Sequence, residues 1–192
     1  MIMETQQVDG STRVQDVVEQ ALNLASLPTV VTVTERTEAN LRWASNALTT
    51  NGEMHSRTLT VTATAEVTGG TAASTVSQEI AEPEDIAAVV AAAERLARTG
   101  SPAEDAITLV ENYDHGDDWE AEPEATGIDV LGDLAASLGA AFGEARTNGQ
   151  LLFGFAEHVV STTYLGSSTG LRRRGVQPVS YTHLTLPTTP YV

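Results

Sequence analysis

Histidine and carboxylate residues are where hydrolytic chemistry would begin in this sequence. A zinc hydrolase needs two imidazoles one helical turn apart and a nearby carboxylate, because neutral nitrogens and a base must converge on one water molecule. The chain has 4 histidines and contains neither an HExxH nor an HExxxH pattern. His158 follows Glu157 in a strand-like run with no second histidine nearby, so a place in a sheet is favoured over a role as metal ligand.

Carboxylates crowd around His115, which lies among Asp114, Asp117 and Asp118. Hard cations bind such clusters of oxygen ligands. The segment lacks the complete spacing of a calcium loop, D-x-[DN]-x-[DN]-G-x5-E. A solvated acidic loop is therefore the favoured interpretation, and a metal-binding loop is the alternative.

A glycine-rich turn and an arginine run follow later in the chain. Residues 166–170 (GSSTG) lack the GK[ST] ending of a phosphate-binding loop and no helix pattern follows them, so a tight turn is favoured. Arg172, Arg173 and Arg174 either bind an anion or protect an edge strand by charge. Ser161 has no histidine and aspartate set that would activate it as a nucleophile. No catalytic, cofactor-binding or metal-ligating residue is therefore predicted.

Charge and composition exclude several classes of partner. The chain has 192 residues, with 10 basic residues, all arginine, against 26 acidic ones, which gives a net charge of −16. Such a surface repels phosphate, so nucleic acid and anionic membranes are poor partners. Cysteine is absent, which excludes disulfides and thiolate metal sites. No apolar run approaches the ~20 residues of a membrane span and no signal-peptide pattern opens the chain, so a cytoplasmic location is expected.

The first half of the chain is predicted to form one helix and then an antiparallel β-meander. Apolar residues recur at helical spacing over residues 14–25, and Pro28 ends this helix. The strands alternate apolar and polar residues, and asparagine and glycine mark the turns. The predicted strands and turns are residues 30–34, 40–48, the turn Thr50-Asn51-Gly52, 57–67, the turn Gly69-Gly70, and 71–78.

The second half is predicted to be helical before it returns to strands. Helices are expected at residues 83–98 and 129–146. Between them, residues 101–126 are rich in Pro, Asp and Glu and read as an exposed acidic connector, with Trp119 docking it. A β-rich run at residues 151–164 and an extended piece from Leu171 follow. The predicted fold class is α+β, an antiparallel β-meander with flanking helices.

The end of the chain differs in character from the rest. The string VSYTHLTLPTT, residues 179–189, resembles translated read-through of the mosaic-end adapter used in transposon-based sequencing libraries. A natural Thr-rich hairpin end is the alternative. Three segments are accordingly predicted: a disordered N terminus at residues 1–12, a domain over residues 13–178, and a non-native tail at residues 179–192.

Two segments, in this order, resemble the N-terminal part of the TldD/PmbA family, the modulator-of-gyrase metallopeptidases. The first, NLRWASNALTTNG at residues 40–52 with the strand at Arg57, is similar to the family pattern R-F-A-N-N-x-I-T-x-N-G … R-x-L-x-V. The second, GFAEHVVSTTYLGSSTGLRRR at residues 154–174, looks like the strand pair before the family's central region. The likeness runs with gaps over residues 14–178, so a truncated, TldD/PmbA-like N-terminal domain is expected.

The resemblance implies a cytosolic peptidase of two subunits, a hetero- or homodimer, acting on unfolded or small peptides. One subunit type carries zinc on an HExxxH helix with a later cysteine, and its partner lacks the metal. No zinc ligand of the family falls on a residue of this chain, so the fragment is predicted to be inactive alone and to build the dimer and the peptide chamber. A non-catalytic acidic binding module, complete in itself, is the alternative.

Overall fold

The computed structural model describes residues 12–81, 83–111, 116 and 118–185, without the side chains of Pro83 and Glu84. The predicted disorder before Thr12 and the end of the predicted tail lie outside the described residues. The strands form one sheet in the order β3-β2-β1-β4-β5. The α+β class with an antiparallel sheet and flanking helices is confirmed. The elements are α1 (Val14–Leu24), β1 (Thr29–Ala44), β2 (Ala47–Val67), β3 (Gly70–Glu79), α2 (Pro83–Thr99), a 3-10 turn (Ile128–Leu131), α3 (Gly132–Thr147), β4 (Phe153–Ser167) and β5 (Arg172–Thr185).

The described chain divides into two compact units. The first unit comprises residues 12–35, the described part of residues 56–123, and residues 162–175, and the second comprises residues 36–55, 124–161 and 176–185. Each unit has its own hydrophobic cluster. Among the described residues, no helix combines the length and the apolar character needed to cross a membrane.

The core of the first unit forms where two amphipathic helices cover inward-facing strand residues. Val17 and Val18 on α1 are fully buried, as the apolar stripe predicted. On α2, Ile86 and Ala93 are equally inaccessible, and the stripe ends near Gly100. The inward side chains of β1 and β2 that complete this cluster are Val31, Val33, Leu59, Val61, Ala63 and Ala65.

The hairpin of β2 and β3 follows the predicted alternation. The strands are antiparallel, with Val67 opposite Gly70. The turn includes Gly69, whose φ of 97° is a left-handed conformation that favours glycine. On the polar face, the hydroxyls of Thr62 and Thr75 lie 2.8 Å apart, a cross-strand hydrogen bond that fixes the register.

The turn between β1 and β2 corrects the sequence-based prediction. Residues 40–48 are not a separate strand, because β1 runs to Ala44 and β2 begins at Ala47. Ser45 and Asn46 form the two-residue turn, with φ values of 51° and 62°. Positive φ at both positions matches the right-handed twist of the strands. The predicted turn at Asn51-Gly52 is therefore wrong, and these residues lie inside β2.

The second unit is built around α3. Leu138, Phe142 and Ala145 of this helix are buried against Leu41 and Trp43 of β1 and their neighbours. The helix ends at Thr147, and Gly149 follows with a φ of 66°. In this unit β5 includes residues 179–185, the described part of the predicted non-native tail, whose origin stays a prediction.

Candidate functional site

His158 lies in β4, as the strand-like run predicted. Its Nδ1 is 2.7 Å from the Thr126 hydroxyl oxygen, and the Thr126 backbone N–H donates to Thr37 Oγ1 at 2.9 Å. The neighbouring Glu157 carboxylate is 3.8 Å from Arg36. Both side chains therefore contribute to the packing of the second unit.

Metal-binding donors do not converge in the part of the chain that the structure describes. Within it, no group of three or more His, Asp or Glu side chains is placed to hold a metal ion. Asp114, His115 and Asp117 lie outside the described residues. Asp118, the remaining member of that cluster, is 3.6 Å from Arg174. The described residues thus do not fit the zinc that the family resemblance implies, and no catalytic step is assigned to them.

The GSSTG segment is a tight turn, as predicted. The Ser167 hydroxyl lies 2.7 Å from the Thr169 hydroxyl and accepts the Leu171 N–H at 3.2 Å. Ser168 and Thr29 exchange two further hydrogen bonds, of 3.0 and 2.9 Å. The polar groups of the turn therefore bind the protein itself, whereas a phosphate loop directs its N–H groups at a ligand.

Two of the three consecutive arginines are tied to internal partners. Arg172 donates to both Glu19 carboxylate oxygens, at 2.6 and 2.8 Å. Arg174, with 8% of its side chain exposed, donates to the Tyr164 hydroxyl at 3.2 Å and to the Glu122 carbonyl at 2.9 Å. Only Arg173 of the three is exposed. This arrangement favours a structural role over anion binding for Arg172 and Arg174.

Trp119 docks the connector, as predicted, and the Arg172 guanidinium lies over its ring, with Cζ 5.9 Å from the ring centroid. The Trp119 ring meets Tyr164 edge-on, with centroids 5.6 Å apart. Gln15 of α1 donates to the Trp119 carbonyl at 3.0 Å, and Tyr164 donates to the Ala121 carbonyl at 2.5 Å. Burial raises the pKa of Tyr164, partly offset by its hydrogen bond from Arg174, so its hydroxyl remains a donor. Composition had not identified Tyr164, since its partners are distant in sequence.

A groove in the first unit is lined in part by residues of this connector. Two cavities of about 300 and 220 Å³ share Ile107, Thr108 and Leu109 as lining. Glu66 and Glu111 line the larger cavity. Ser167 and Thr169 of the GSSTG turn also line these cavities. Sequence motifs did not identify Glu66 or Glu111 as members of a site, because these two residues become neighbours only on folding.

Comparison with known proteins shows which solved structures have a similar architecture. No family profile and no curated protein sequence matches the chain. The crystal structure of TldE from Thermococcus kodakarensis is similar, with a TM-score of 0.64 and 15% identity, over 90% of this chain and 38% of that one. A candidate modulator of a DNA gyrase from Thermotoga maritima gives a TM-score of 0.50 and 14% identity, over 92% and 44%. The chain thus spans less than half of either protein. Sequence resemblance and fold comparison agree that this chain has a partial TldD/PmbA-like fold.

Proposed function

We propose that this chain is part of a TldD/PmbA-family protein that takes part in metal-dependent proteolysis of unfolded or small peptides in the cytoplasm. The likeness to TldE over 90% of the chain carries this proposal. The order of the two family-like segments supports it independently, since they fall on the β1–β2 hairpin and on β4–β5.

The role proposed for this part is to build the subunit dimer and the wall of the peptide chamber. Zinc, in such peptidases, polarises the scissile carbonyl and activates water. The described side chains have other roles: Arg172 lies over the Trp119 ring of the connector, Arg174 donates to the Glu122 carbonyl of the connector, and Asn46 fixes the turn between β1 and β2. A framework that is fixed by such contacts positions a substrate path without taking part in bond cleavage.

Reconstitution with a partner tests the proposal. The 192-residue chain would be mixed with a zinc-bearing TldD-type subunit, and the complex measured by size-exclusion chromatography with light scattering. We expect a stable complex, chelator-sensitive cleavage of an unfolded peptide by the complex, and none by this chain alone. Failure to form a complex, or chelator-sensitive cleavage by the isolated chain, would contradict the proposed role.

The alternative is a non-catalytic acidic binding module, and the acidic groove is the observation that favours it. Glu66 and Glu111 line a cavity with apolar walls, which is a typical arrangement for ligand recognition. In that case the isolated chain should bind its ligand with full affinity, and addition of a TldD-type subunit should leave this affinity unchanged.

A further inference from the structure

Residues 106–111 (AITLVE) form the rim between the two cavities of the groove. They lie outside any helix or strand although Ile107, Thr108 and Val110 are β-branched residues that favour strands. Ile107 is 82% exposed and Val110 is 62% exposed. Leu109 alone among these six is partly buried. Exposed apolar side chains that are grouped beside a cavity are a feature of ligand-binding grooves.

The backbone N–H groups of this rim are available for hydrogen bonds to a ligand. Among the described residues, no backbone carbonyl accepts a hydrogen bond from the N–H groups of Ile107 through Glu111. The rim is nevertheless held at both ends. The Ala103 N–H donates to the Thr71 carbonyl at 2.9 Å, and Thr169 Oγ1 donates to the Val110 carbonyl at 2.8 Å. A tethered row of unpaired N–H groups resembles the free edge of a sheet, to which an extended peptide can add as a strand.

The cavities on either side specify what such a peptide should carry. The smaller cavity has apolar walls from Val30, Leu165 and Leu171. The larger one is lined by Glu66 and Glu111. Arg98 lines an adjoining cavity together with Glu66, but no arginine lines the two cavities beside the rim. Glu111 has no cationic partner among the described residues. Apolar side chains paired with a positive charge therefore complement the groove.

We propose that residues 106–111 and the flanking cavities bind an extended segment of a partner protein. The segment pairs its backbone with the rim, places apolar side chains in the cavities, and sets a lysine or arginine against Glu66 and Glu111. Alternate side chains of an added strand point to the same face, which matches cavities that share a rim. This inference develops the binding-module alternative and stands whether or not the complete protein hydrolyses peptides.

Fluorescence anisotropy with the full chain tests the inference. The probe is a labelled nine-residue peptide of alternating Val and Thr with lysine at both ends. Three matched peptides replace lysine by glutamate, valine by serine, or alternate backbone N–H groups by N-methyl. We expect each replacement to weaken binding about tenfold or more, because each removes charge, burial or strand pairing. Binding of the acidic, serine or N-methyl peptide as tight as the probe would overturn the proposal.

Variants of the chain locate the site. The double change Glu66→Gln with Glu111→Gln should weaken probe binding on the order of fivefold at low salt and less at high salt. Glu79→Gln, on an exposed position of β3 outside the groove, is the matched control and should leave binding unchanged. Equal weakening by the control would indicate attraction to the acidic surface in general and refute the site.

A second copy of this chain is the competing occupant. Sedimentation velocity distinguishes it, and a monomeric chain with intact probe binding is the expected result. A dimer that dissociates on Ile107→Asp substitution would show that a second copy of the chain, and not a partner segment, occupies the groove. Circular dichroism checks that each variant is folded. If a variant is not folded, the peptide series still tests the proposal, because it uses the unaltered chain.

Discussion

Asn46 and Leu152 are joined by a reciprocal pair of hydrogen bonds. The Leu152 N–H donates to Asn46 Oδ1 at 2.7 Å, and the Asn46 N–H donates to the Leu152 carbonyl at 3.3 Å. Asn46 Nδ2 also donates to the Gln150 carbonyl at 2.7 Å. One side chain, 2% exposed, thus fixes the turn between β1 and β2 against the segment that leads into β4.

Replacing Asn46 by alanine should destabilise the chain by about 2–4 kcal/mol. Two buried side-chain hydrogen bonds are lost, and alanine must adopt a left-handed φ that costs it about 1 kcal/mol. Urea unfolding followed by circular dichroism measures the change. Ser45→Gly is the matched control: Ser45 is exposed with a φ of 51°, so glycine should leave stability unchanged or raise it by up to about 1 kcal/mol. If Asn46→Ala lowered the free energy of unfolding by less than about 0.5 kcal/mol, as a typical surface substitution does, this role of Asn46 would be refuted.

Arg174 should matter for stability while its neighbour Arg173 does not. Arg174→Met keeps much of the packing volume but removes the donors to Tyr164 and Glu122, which should cost about 2 kcal/mol. Arg173→Met, at an exposed position, should change the free energy of unfolding by less than about 0.5 kcal/mol. Thermal unfolding of both variants gives the comparison. Equal effects would show that total charge, and not the Tyr164 contact, sets the stability.

Gly166 is expected to tolerate no side chain because α1 lies directly on it. A Cβ at this position would come within 2.6 Å of Val18 Cγ1 and 3.0 Å of Leu22 Cδ1. Gly166→Ala should therefore destabilise the chain by about 1–3 kcal/mol through overpacking. Gly175→Ala is the control, since a Cβ there meets nothing within 4 Å. Chemical denaturation should show no loss for the control, and a neutral Gly166→Ala would mean that α1 packs elsewhere.

Glu94 makes the stability of the first unit depend on pH in the acidic range. Burial acts to raise the pKa of Glu94, but hydrogen bonds from Ser26 and from the Leu27 N–H outweigh it and lower the pKa from its ordinary value of 4.5. A lowered folded-state pKa means that the carboxylate stabilises the fold fully above the unfolded value. This stabilisation is lost as pH falls through the folded value.

Glu94→Gln is therefore predicted to be less stable than the parent chain at pH 7, by about 1–2 kcal/mol. The difference should shrink as pH drops below about 4.5 and vanish at lower pH. Urea titrations at several pH values measure it, with the exposed Glu79→Gln as control. A difference between Glu94→Gln and the parent that is constant with pH would contradict the assigned hydrogen bonds.

Local patterns in the sequence located most elements of the fold. The helix predicted over residues 14–25 is Val14–Leu24, and that predicted over residues 83–98 is Pro83–Thr99. The alternating run at residues 57–67 lies within β2. These predictions succeed because apolar residues that recur with the period of a helix or of a strand identify the face that the element buries.

At the β1–β2 turn, tertiary contacts override the local turn preference of the sequence. Asn51-Gly52 has the stronger turn chemistry, yet the chain turns at Ser45-Asn46. Asn46 is stabilised there by partners 104 and 106 residues away in sequence. The candidate site behaves in the same way for Tyr164, which no local pattern identified and which acquires its role by contacting Trp119 of the connector.

The amino-acid sequence by itself determined the α+β class, the acidic charge, the absence of thiol chemistry and the resemblance to the TldD/PmbA family. Each of these depends on composition or on residues close together in the chain. The tertiary structure alone decided that Asn46 forms the turn, that Arg172 and Arg174 contact the connector, and that residues 106–111 border an acidic groove. Those features depend on hydrogen bonds and contacts between residues far apart in sequence, which no local pattern encodes.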